Sequence, residues 1–539
     1  MSLIALKQIS HTFGGPKLLD AADFSIARGE RVCLLGRNGE GKSTLMKIIS
    51  GGLKPDEGEI VRQQGLRIGQ LPQDVAAGTS GTIAEVVADG LKTIEPGISA
   101  DDYRVTTILS RLDLPGDQTF AELSSGMKRR VLLAQSLVAE PDLLLLDEPT
   151  PHLDIEAIAT LEEYLAKYSG AVLFITHDRA FLERVASRIV ELDRGRIFNW
   201  DCNYRAFLER REQAWAAEAR QEALFDKKLA LEEAWIRQGI KARRTRNEGR
   251  VRALKALREE HAKRRSRQGT ARIEVQEADK SGLMVIEAKA AGFAYDPDCP
   301  IIKSLDTMIC RGDKVALIGP NGCGKTTLLK LLLGQLSPQS GSIRQGTNLQ
   351  IAYFDQVKES LDDEKTVQQN VSEYDMIRIN GQERHIIGYL QDFLFSPERA
   401  RSQVKYLSGG ERSRLLLARL FTQPANVLVL DEPTNDLDLE TLELLESLLV
   451  DFSGTVLVVS HDRAFVNNVA TSTLFIDTDG NVKEYDGGYD DFLRQRPSQL
   501  SKETDREKPA KTSAPAPTPA AAQGRRKLTY KEQRELEAL

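Results

Sequence analysis

The chain has 539 residues, of which 41% are hydrophobic and 28% are charged, as is typical of a globular protein. No run approaches about 18 consecutive apolar residues, and the N-terminal MSLIALKQIS lacks the basic flank and apolar core of a signal peptide. Five cysteines without a CxxC pair argue against a disulfide framework or a zinc site, so composition favours a cytoplasmic protein that has no membrane segment.

Positive charge is concentrated in one segment, although the formal net charge of the chain is −6. Residues 237–267 hold 13 basic and 3 acidic residues, a local excess of +10. A run of charge is usually a solvated helix face. An excess of this size in an otherwise acidic protein favours an interaction with nucleic acid phosphates.

In chain order, the motifs show an internal duplication. The glycine-rich loop GRNGEGKS at residues 36–43 recurs as GPNGCGKT at residues 319–326. An apolar run ending in DEPT and the later segment THDRAF also recur, as DEPT and SHDRAF. The offset is 283 positions for the glycine loops and 284 for these two motifs. The chain therefore contains two copies of one domain in tandem.

Short apolar runs precede these motifs in both copies. Continuous runs of four apolar residues predict strands that are buried on both faces of a largely parallel sheet. Each glycine loop then lies where a strand passes into a helix. The predicted strands are residues 32–35, 143–146, 172–175, 315–318, 427–430 and 456–459.

Other segments separate and follow the two copies. Apolar residues at helical spacing between residues 205 and 284 predict a helical hairpin with the basic segment at its tip. Residues 496–526 are rich in proline and alanine and predict a disordered tether, and residues 527–539 predict the start of a helix. The copies themselves are assigned to residues 1–204 and 285–495.

The glycine loops match GxxxxGK[ST], a phosphate-binding pattern. Glycines allow backbone N–H groups to approach phosphates, and the lysines, Lys42 and Lys325, neutralise the β and γ charge. The hydroxyls of Ser43 and Thr326 reach Mg²⁺. Two copies, each with an apolar run that ends in Asp-Glu, make an ordinary glycine-rich turn a poor explanation.

Acidic residues and histidines follow the other apolar runs. Asp147 and Asp431 are predicted to act on Mg²⁺ through a water molecule, and Glu148 and Glu432 to polarise the attacking water. His177 and His461 come at strand ends from which a side chain reaches the γ-phosphate.

These motifs resemble those of the ATP-binding cassette (ABC) superfamily, and the resemblance covers both copies. Its signature stands intact as LSGGE at residues 407–411 and altered as LSSGM at residues 123–127. The resemblance implies an α/β fold of two tandem ABC-type P-loop NTPase domains, joined by the helical-hairpin linker. It also implies ATP sandwiched between the glycine loop of one copy and the signature of the other.

The resemblance supplies further candidate residues. Gln73 and Gln356 resemble the glutamine that senses Mg²⁺, and Phe13 and Tyr295 an aromatic that stacks on adenine, with ordinary core aromatics as the alternative. The metal candidates are Ser43, Gln73, Asp147, Thr326, Gln356 and Asp431. The ATP-binding candidates are Phe13, Gly36, Arg37, Asn38, Gly39, Glu40, Gly41, Lys42, Ser43, Thr44, Ser124, Ser125, Gly126, Tyr295, Gly319, Pro320, Asn321, Gly322, Cys323, Gly324, Lys325, Thr326, Thr327, Ser408, Gly409 and Gly410.

Three positions depart from the superfamily pattern. Ser125 replaces a glycine, which predicts slower hydrolysis at the site that contains the second glycine loop. Pro151 replaces the usual asparagine shortly before Asp154, which matches the interdomain D-loop. Cys323 lies inside the second glycine loop, so thiol modification is expected to block ATP binding there.

Tandem cassettes joined by a charged helical linker resemble the ABC-F family. That resemblance implies a monomer that closes on two ATP molecules and binds the ribosome at the tRNA exit site, with its linker near rRNA and tRNA. Gln73 to Leu123 spans 50 positions and Gln356 to Leu407 spans 51, so the first copy shows no insertion for the extra helical arm that many members carry. The candidate nucleic-acid contacts are Arg237, Lys241, Arg243, Arg244, Arg246, Arg250, Arg252 and Lys255.

Two alternatives stay open at this point. One is an ATPase that acts on branched or replicating DNA, for which the same basic hairpin is suited. The last residues, KLTYKEQRELEAL, resemble only the beginning of a C-terminal coiled coil linked to DNA binding in the family. The other alternative is the energising subunit of a transporter whose membrane partner is a separate chain.

Overall fold

A computed structural model describes most of the two copies. The described residues are 2–14, 17–71, 79–92, 100–151, 153–214, 281–297, 299–354, 361–379, 382–435 and 437–496. The chain divides into a unit of residues 1–493 and a unit of residues 494–539, of which only residues 494–496 are described. Most of the predicted hairpin linker, almost all of the tether and the C-terminal helix lie outside the described residues.

The described part of the first half, residues 2–214, contains nine strands and seven α-helices. The strands, β1 to β9, are Ser2–His11, Leu19–Ala27, Arg31–Leu35, Glu57–Arg62, Ile68–Leu71, Leu143–Asp147, Ala171–Ile175, Arg188–Asp193 and Arg196–Trp200. The helices are Lys42–Ser50, Ile83–Ala88, Tyr103–Arg111, Ser125–Leu137, Ile155–Ala166 and Arg179–Val185, and residues 204–214 are also helical.

The described part of the second half, residues 281–496, repeats this order with an added hairpin. The strands, β10 to β20, are Met284–Asp296, Cys299–Cys310, Lys314–Ile318, Ser340–Gln345, Ile351–Tyr353, Met376–Ile379, Gln382–His385, Val427–Asp431, Thr455–Val459, Ser472–Ile476 and Val482–Asp486. The helices are Lys325–Leu332, Val367–Val371, Ile386–Asp392, Pro397–Ala400, Gly409–Leu420, Leu439–Asp451, Arg463–Val469 and Tyr489–Gln495.

A six-stranded sheet forms the centre of each half. Its order is β5-β6-β7-β3-β8-β9 in the first half and β14-β17-β18-β12-β19-β20 in the second. Only the last strand of each sheet is antiparallel to its neighbour. All six strands predicted from apolar runs are confirmed. Because β3, β6 and β7 are parallel neighbours, the motifs that follow them lie together at one edge of the sheet.

A second, three-stranded antiparallel sheet lies beside each central sheet, in the order β2-β1-β4 and β11-β10-β13. Its apolar side chains share one core with the helix Lys42–Ser50 and one face of the central sheet; Ile9, Leu45 and Leu145 are fully buried there. Burying each such side chain contributes about 1.5–3 kcal/mol. This core fixes the helix that begins in the glycine loop.

Helices cover the other face of each central sheet. In the first half, Phe174, Leu146 and Leu161 belong to a core cluster that includes side chains of the helices Ser125–Leu137 and Ile155–Ala166. Within the described ranges, every helix is too short or too polar to cross a lipid bilayer.

Candidate functional site

The first glycine loop joins β3 to the helix Lys42–Ser50. Gly41 precedes the helix with φ of 103°, a left-handed conformation that glycine adopts without strain. The Lys42 ammonium donates to the carbonyl of Arg37 at 3.0 Å and to Asn38 Oδ1 at 3.3 Å, which holds it in the mouth of the loop. Burial lowers the pKa of Lys42, and nearby carboxylates, Asp438 foremost, oppose the shift.

The second glycine loop has the same geometry. Gly324 precedes the helix Lys325–Leu332 with φ of 99°. Lys325 Nζ donates to the carbonyls of Gly319 and Pro320, each at 3.0 Å. Both lysines therefore bind their own loops, at the place where a phosphate would accept the same hydrogen bonds.

A hydroxyl and a carboxylate that were predicted to bind Mg²⁺ are neighbours in both halves. Thr326 Oγ1 donates to Asp431 Oδ2 at 3.2 Å, and Ser43 forms a hydrogen bond with the side chain of Asp147. These hard oxygen ligands suit Mg²⁺, which takes few ligands from the protein and completes its shell with water and phosphate oxygens. Among the described residues, no cluster of three or more His, Cys, Asp or Glu side chains is arranged to hold a metal.

Each predicted catalytic glutamate lies beside the predicted histidine. Glu148 Oε1 is 3.6 Å from His177 Nε2, and Glu432 Oε1 is 3.4 Å from His461 Nε2. Both glutamates have a left-handed backbone, with φ of 48° and 46°. The structure therefore places all four predicted side chains at the carboxyl ends of the central strands.

The electrostatics of the two glutamate–histidine pairs follow from burial. Burial, and then the charge of Lys42, lowers the pKa of His177 to about 3, so its imidazole is neutral at physiological pH. Neither ring nitrogen of His177 has a hydrogen bond from the described residues. Burial also raises the pKa of Glu432 to about 8, with Lys325 opposing the shift. Buried polar groups of this kind are stabilised when a ligand supplies their hydrogen bonds.

The two halves contact each other at these motifs. A Cβ atom added to Gly410 would lie 2.5 Å from Asn38 Nδ2, so the intact signature of the second half packs against the first glycine loop. In the opposite direction, the backbone N–H of Asn321 points to Asp154 Oδ2 at 3.4 Å. Each glycine loop is thus approached by a motif of the other half.

A small cavity lies between the halves. Its volume is about 50 Å³, enough for a few water molecules. Its lining includes Glu148, His177, Glu432 and His461. Pro151, which departs from the superfamily pattern, also lines it.

The two glycine loops differ in their surroundings. Arg37 Nε is 2.9 Å from Glu440 Oε2 of the other half, whereas the matching position of the second loop is Pro320, which cannot form an ion pair. Burial, and then Asp193, raises the pKa of Glu40 to about 7. The matching residue is Cys323, whose thiol pKa is raised chiefly by burial. Such a thiol reacts slowly at neutral pH, and the blocking effect of its modification stays a prediction.

The remaining candidates from the sequence differ in where they lie: some are exposed, and others fall outside the described residues. Phe13 and Tyr295 are 67% and 65% exposed, so neither is a core aromatic and each has a ring face available for stacking. Ser124 Oγ accepts from the Met127 N–H at 3.3 Å at the start of the altered signature helix. Gln73, Gln356 and all the basic linker candidates lie outside the described residues.

Sequence reasoning missed two ion pairs that join the halves. Arg179 pairs with Glu446, and Arg463 pairs with Glu162. The repeated HDRAF segment contains both arginines, and the glutamates also lie 284 positions apart. That shared offset was the available signal, but no pattern within one copy shows which surface of the other it meets.

Comparisons with known families agree with the geometry. A family model described as ABC transporter matches residues 19–151 and 302–435, and a second model with the same description matches residues 190–274. Solved structures with a similar fold include the chain from a model of ribosome-bound archaeal Pelota and ABCE1, with 20% identity, a TM-score of 0.59, and coverage of 90% of this chain and 80% of that one. A structure titled RNase-L Inhibitor has 20% identity and a TM-score of 0.58, and covers 90% of this chain and 92% of its own.

Curated relatives are similar over almost the whole chain. The ATP-binding protein Uup of Haemophilus influenzae is 46% identical over 100% of this chain and 90% of its own length, and Uup of Escherichia coli has the same identity and coverage. The energy-dependent translational throttle protein EttA of Escherichia coli is 36% identical over 88% of this chain and 92% of its own length. The chain therefore belongs to the ABC-F family of the ATP-binding cassette superfamily and is an ATP hydrolase with two cassettes.

Proposed function

We propose that the protein closes on two ATP molecules and, in that closed form, binds the ribosome through its basic linker. The observation that carries the first step is the contact of each glycine loop with the opposite half, at Gly410 and at Asp154. ATP in the first site would contact the loop at residues 36–44 and the signature residues 408–410. ATP in the second would contact the loop at residues 319–327 and residues 124–126.

The geometry of each site supports the proposed hydrolytic roles. Lys42 and Lys325 leave their loop carbonyls and bind phosphate oxygens, since a phosphate offers stronger charge-assisted hydrogen bonds. Glu148 and Glu432 orient the attacking water, and His177 and His461 donate to the γ-phosphate. Phe13 and Tyr295 stack on the two adenines. These assignments are supported by the pairs of neighbouring side chains in both halves.

Mg²⁺ is the proposed cofactor of both sites. Ser43 with Asp147, and Thr326 with Asp431, would hold it, together with Gln73 and Gln356. When bound, Mg²⁺ neutralises charge on the β- and γ-phosphates. Asp147 and Asp431 are the last residues of β6 and β17, so both carboxylates lie at the carboxyl ends of central strands.

The ribosome is the proposed partner because of the linker charge and the relatives. The local excess of +10 suits an RNA-lined cavity, where proteins contact mostly backbone phosphates. The name of the relative EttA describes an energy-dependent throttle of translation. Such a partner would place the protein in the cytoplasm, where it acts as a monomer whose two halves close on each other.

Co-sedimentation with ribosomes tests this proposal. The double variant Glu148→Gln/Glu432→Gln keeps the shape of both side chains but removes the carboxylates, so the ATP-bound closed form should accumulate. This variant is expected to pellet with ribosomes in ATP and not in ADP. Changing Arg243, Arg244 and Arg246 to Ala in the same background should weaken pelleting at least tenfold, and raising the salt concentration should weaken it further.

The matched control changes three basic residues outside the linker, Lys7, Arg28 and Lys54, to Ala. These three changes should leave pelleting with ribosomes unchanged. ATP-independent pelleting, or a flat salt profile, would contradict the proposal. ATP-dependent binding to branched DNA without ribosome binding would transfer the function to DNA.

A further inference from the structure

Two buried ion pairs connect the halves beside the catalytic residues. Arg179 begins the helix Arg179–Val185, two residues after His177, and its NH1 donates to Glu446 Oε2 at 3.0 Å and Oε1 at 3.2 Å. The two side chains are 14% and 11% exposed. Glu446 lies in the helix Leu439–Asp451, which begins directly after Asp438.

The second pair repeats the first with the halves exchanged. Arg463 begins the helix Arg463–Val469, two residues after His461, and donates to both carboxylate oxygens of Glu162. Arg463 is 10% exposed and Glu162 is fully buried. Each arginine and each glutamate lies 284 positions from its counterpart, so the two pairs are related by the duplication.

Each pair joins elements that belong to different ATP sites. On one side is the loop of His177, which faces Glu148 and the first glycine loop. On the other side is the helix Leu439–Asp451, which follows residues 432–438. That segment starts at Glu432 of the second site. Asp438, at the end of this segment, is close enough to Lys42 and His177 to affect the pKa of both. The ion pair of Arg179 with Glu446 therefore ties the histidine loop of the first site to the helix that follows the Glu432 segment of the second site.

We infer that Arg179 and Arg463 are positioning residues that couple the two ATP sites through their ion pairs with Glu446 and Glu162. This inference rests on the proposed closure of the halves on ATP. The pairs exist only while the halves are in contact, and their burial makes the loss of one partner costly for the other. When ATP orders the histidine loop of one half, the ion pair orders the segment that leads to the glutamate of the other site.

The test measures ATP hydrolysis as a function of ATP concentration in the full chain. Wild type is expected to show a Hill coefficient between 1 and 2, the limit for two sites. Arg179→Gln and Glu446→Gln should each lower the Hill coefficient to about 1 and the turnover number at least fivefold. The double variant should be no worse than either single variant, because both remove one shared interaction. Arg179→Lys, which keeps the charge, should restore cooperativity in part.

Arg184→Gln is the matched control. Arg184 also donates to Glu162, at 3.0 Å, but lies in the same half and is 58% exposed, so its loss leaves the contact with Arg463 in place. It should leave the Hill coefficient unchanged. Melting temperatures of all variants separate loss of coupling from loss of folding. If Arg179→Gln does not fold, the Hill coefficient of Glu446→Gln is compared with that of Arg184→Gln to test the coupling.

The outcomes separate this inference from the proposed function. A wild-type protein without ATP hydrolysis would refute the proposed closure cycle itself. Hydrolysis by wild type with a Hill coefficient of 1 would leave the cycle intact and overturn the coupling. A Hill coefficient in Arg179→Gln and Glu446→Gln equal to that of wild type would overturn it too, as would additive effects in the double variant.

Discussion

At the scale of single residues, the backbone of the catalytic glutamates is an unexpected feature. Glu148 and Glu432 end buried strands in the left-handed region, which costs a non-glycine residue about 1–3 kcal/mol. The N–H groups of both residues remain bonded to the neighbouring strands, at 3.0 Å to Ile175 O and 2.9 Å to Val459 O. This conformation turns each carboxylate towards its histidine, and the surrounding sheet maintains the strain.

Asp462 predicts a pH dependence of stability. Its carboxylate caps the helix Arg463–Val469 by accepting from the Phe465 N–H at 3.0 Å, and burial, followed by repulsion from Asp178 of the other half, raises its pKa to about 7. Between its ordinary pKa of 3.8 and about pH 7, the folded state binds more protons at this group than the unfolded state does. This group therefore lowers the free energy of unfolding as the pH rises through that window.

Asp462→Asn is expected to remove this contribution and keep the helix cap, since the asparagine amide oxygen also accepts from Phe465. The melting temperature of the variant should match wild type near pH 4 and exceed it by about 2 °C or more near pH 8. The charge of Arg179 also lowers the pKa of Asp462, so Arg184→Gln serves as a control for the general effect of removing a nearby arginine charge. A difference that is constant with pH would contradict the assignment.

The motifs identify site residues well and their surroundings poorly. The pattern around Lys42, Glu148 and His177 predicted which side chains would meet, because parallel strands bring their ends to one sheet edge. It did not predict the left-handed glutamates, because no residue type in the sequence marks them. It also missed Arg179 and Glu446, whose contact depends on how two separately folded surfaces meet.

At the scale of elements, the two signature helices differ at their first turn. Ser408 Oγ accepts from the Glu411 N–H at 3.3 Å, and the Glu411 carboxylate accepts from the Ser408 N–H at 2.8 Å, which is a complete capping box. Arg399 holds Glu411 through two further hydrogen bonds, at 2.7 and 2.8 Å. In the first half Met127 occupies the position of Glu411, so the altered signature has the serine cap without the reciprocal bond.

The glycines of the intact signature predict different effects of the same change. A Cβ at Gly410 would lie 2.5 Å from Asn38 Nδ2 and 2.9 Å from Asn38 Cβ, whereas a Cβ at Gly409 would meet no described atom within 4 Å. Without nucleotide, Gly410→Ala should therefore lower the melting temperature. Gly409→Ala should leave it unchanged or raise it, since alanine is favoured over glycine in a helix by about 1 kcal/mol.

Thermal unfolding of the two variants in buffer without nucleotide makes this comparison. The two positions are adjacent in one helix and carry the same residue type, so they are a matched pair. Equal melting temperatures for Gly410→Ala and Gly409→Ala would show that the contact between the halves at Asn38 contributes nothing to stability.

At the scale of the whole molecule, a duplicated chain has formed two sites that are similar but unequal. Both contain the lysine, the hydroxyl–carboxylate pair and the glutamate–histidine pair. The first site also has the ion pair between Arg37 and Glu440 and the intact signature, and the second has neither. We expect the second site to hydrolyse ATP more slowly, because Ser125 occupies the position of a signature glycine.

Hydrolysis by single-site variants tests this asymmetry. Glu432→Gln removes the carboxylate of the second site and should reduce ATP turnover less than Glu148→Gln, which removes that of the first. Turnover is measured at saturating ATP, and Glu148→Gln/Glu432→Gln gives the background rate. Equal losses in the two single variants would show that the sequence differences do not affect hydrolysis.

The central claim is that each ATP is held between the two halves. A crystal structure of Glu148→Gln/Glu432→Gln with Mg²⁺ and ATP tests it most directly. The account predicts two ATP molecules, one between residues 36–44 and 408–410 and the other between residues 319–327 and 124–126. Nucleotide bound by one half alone, with the opposite signature out of contact, would contradict it.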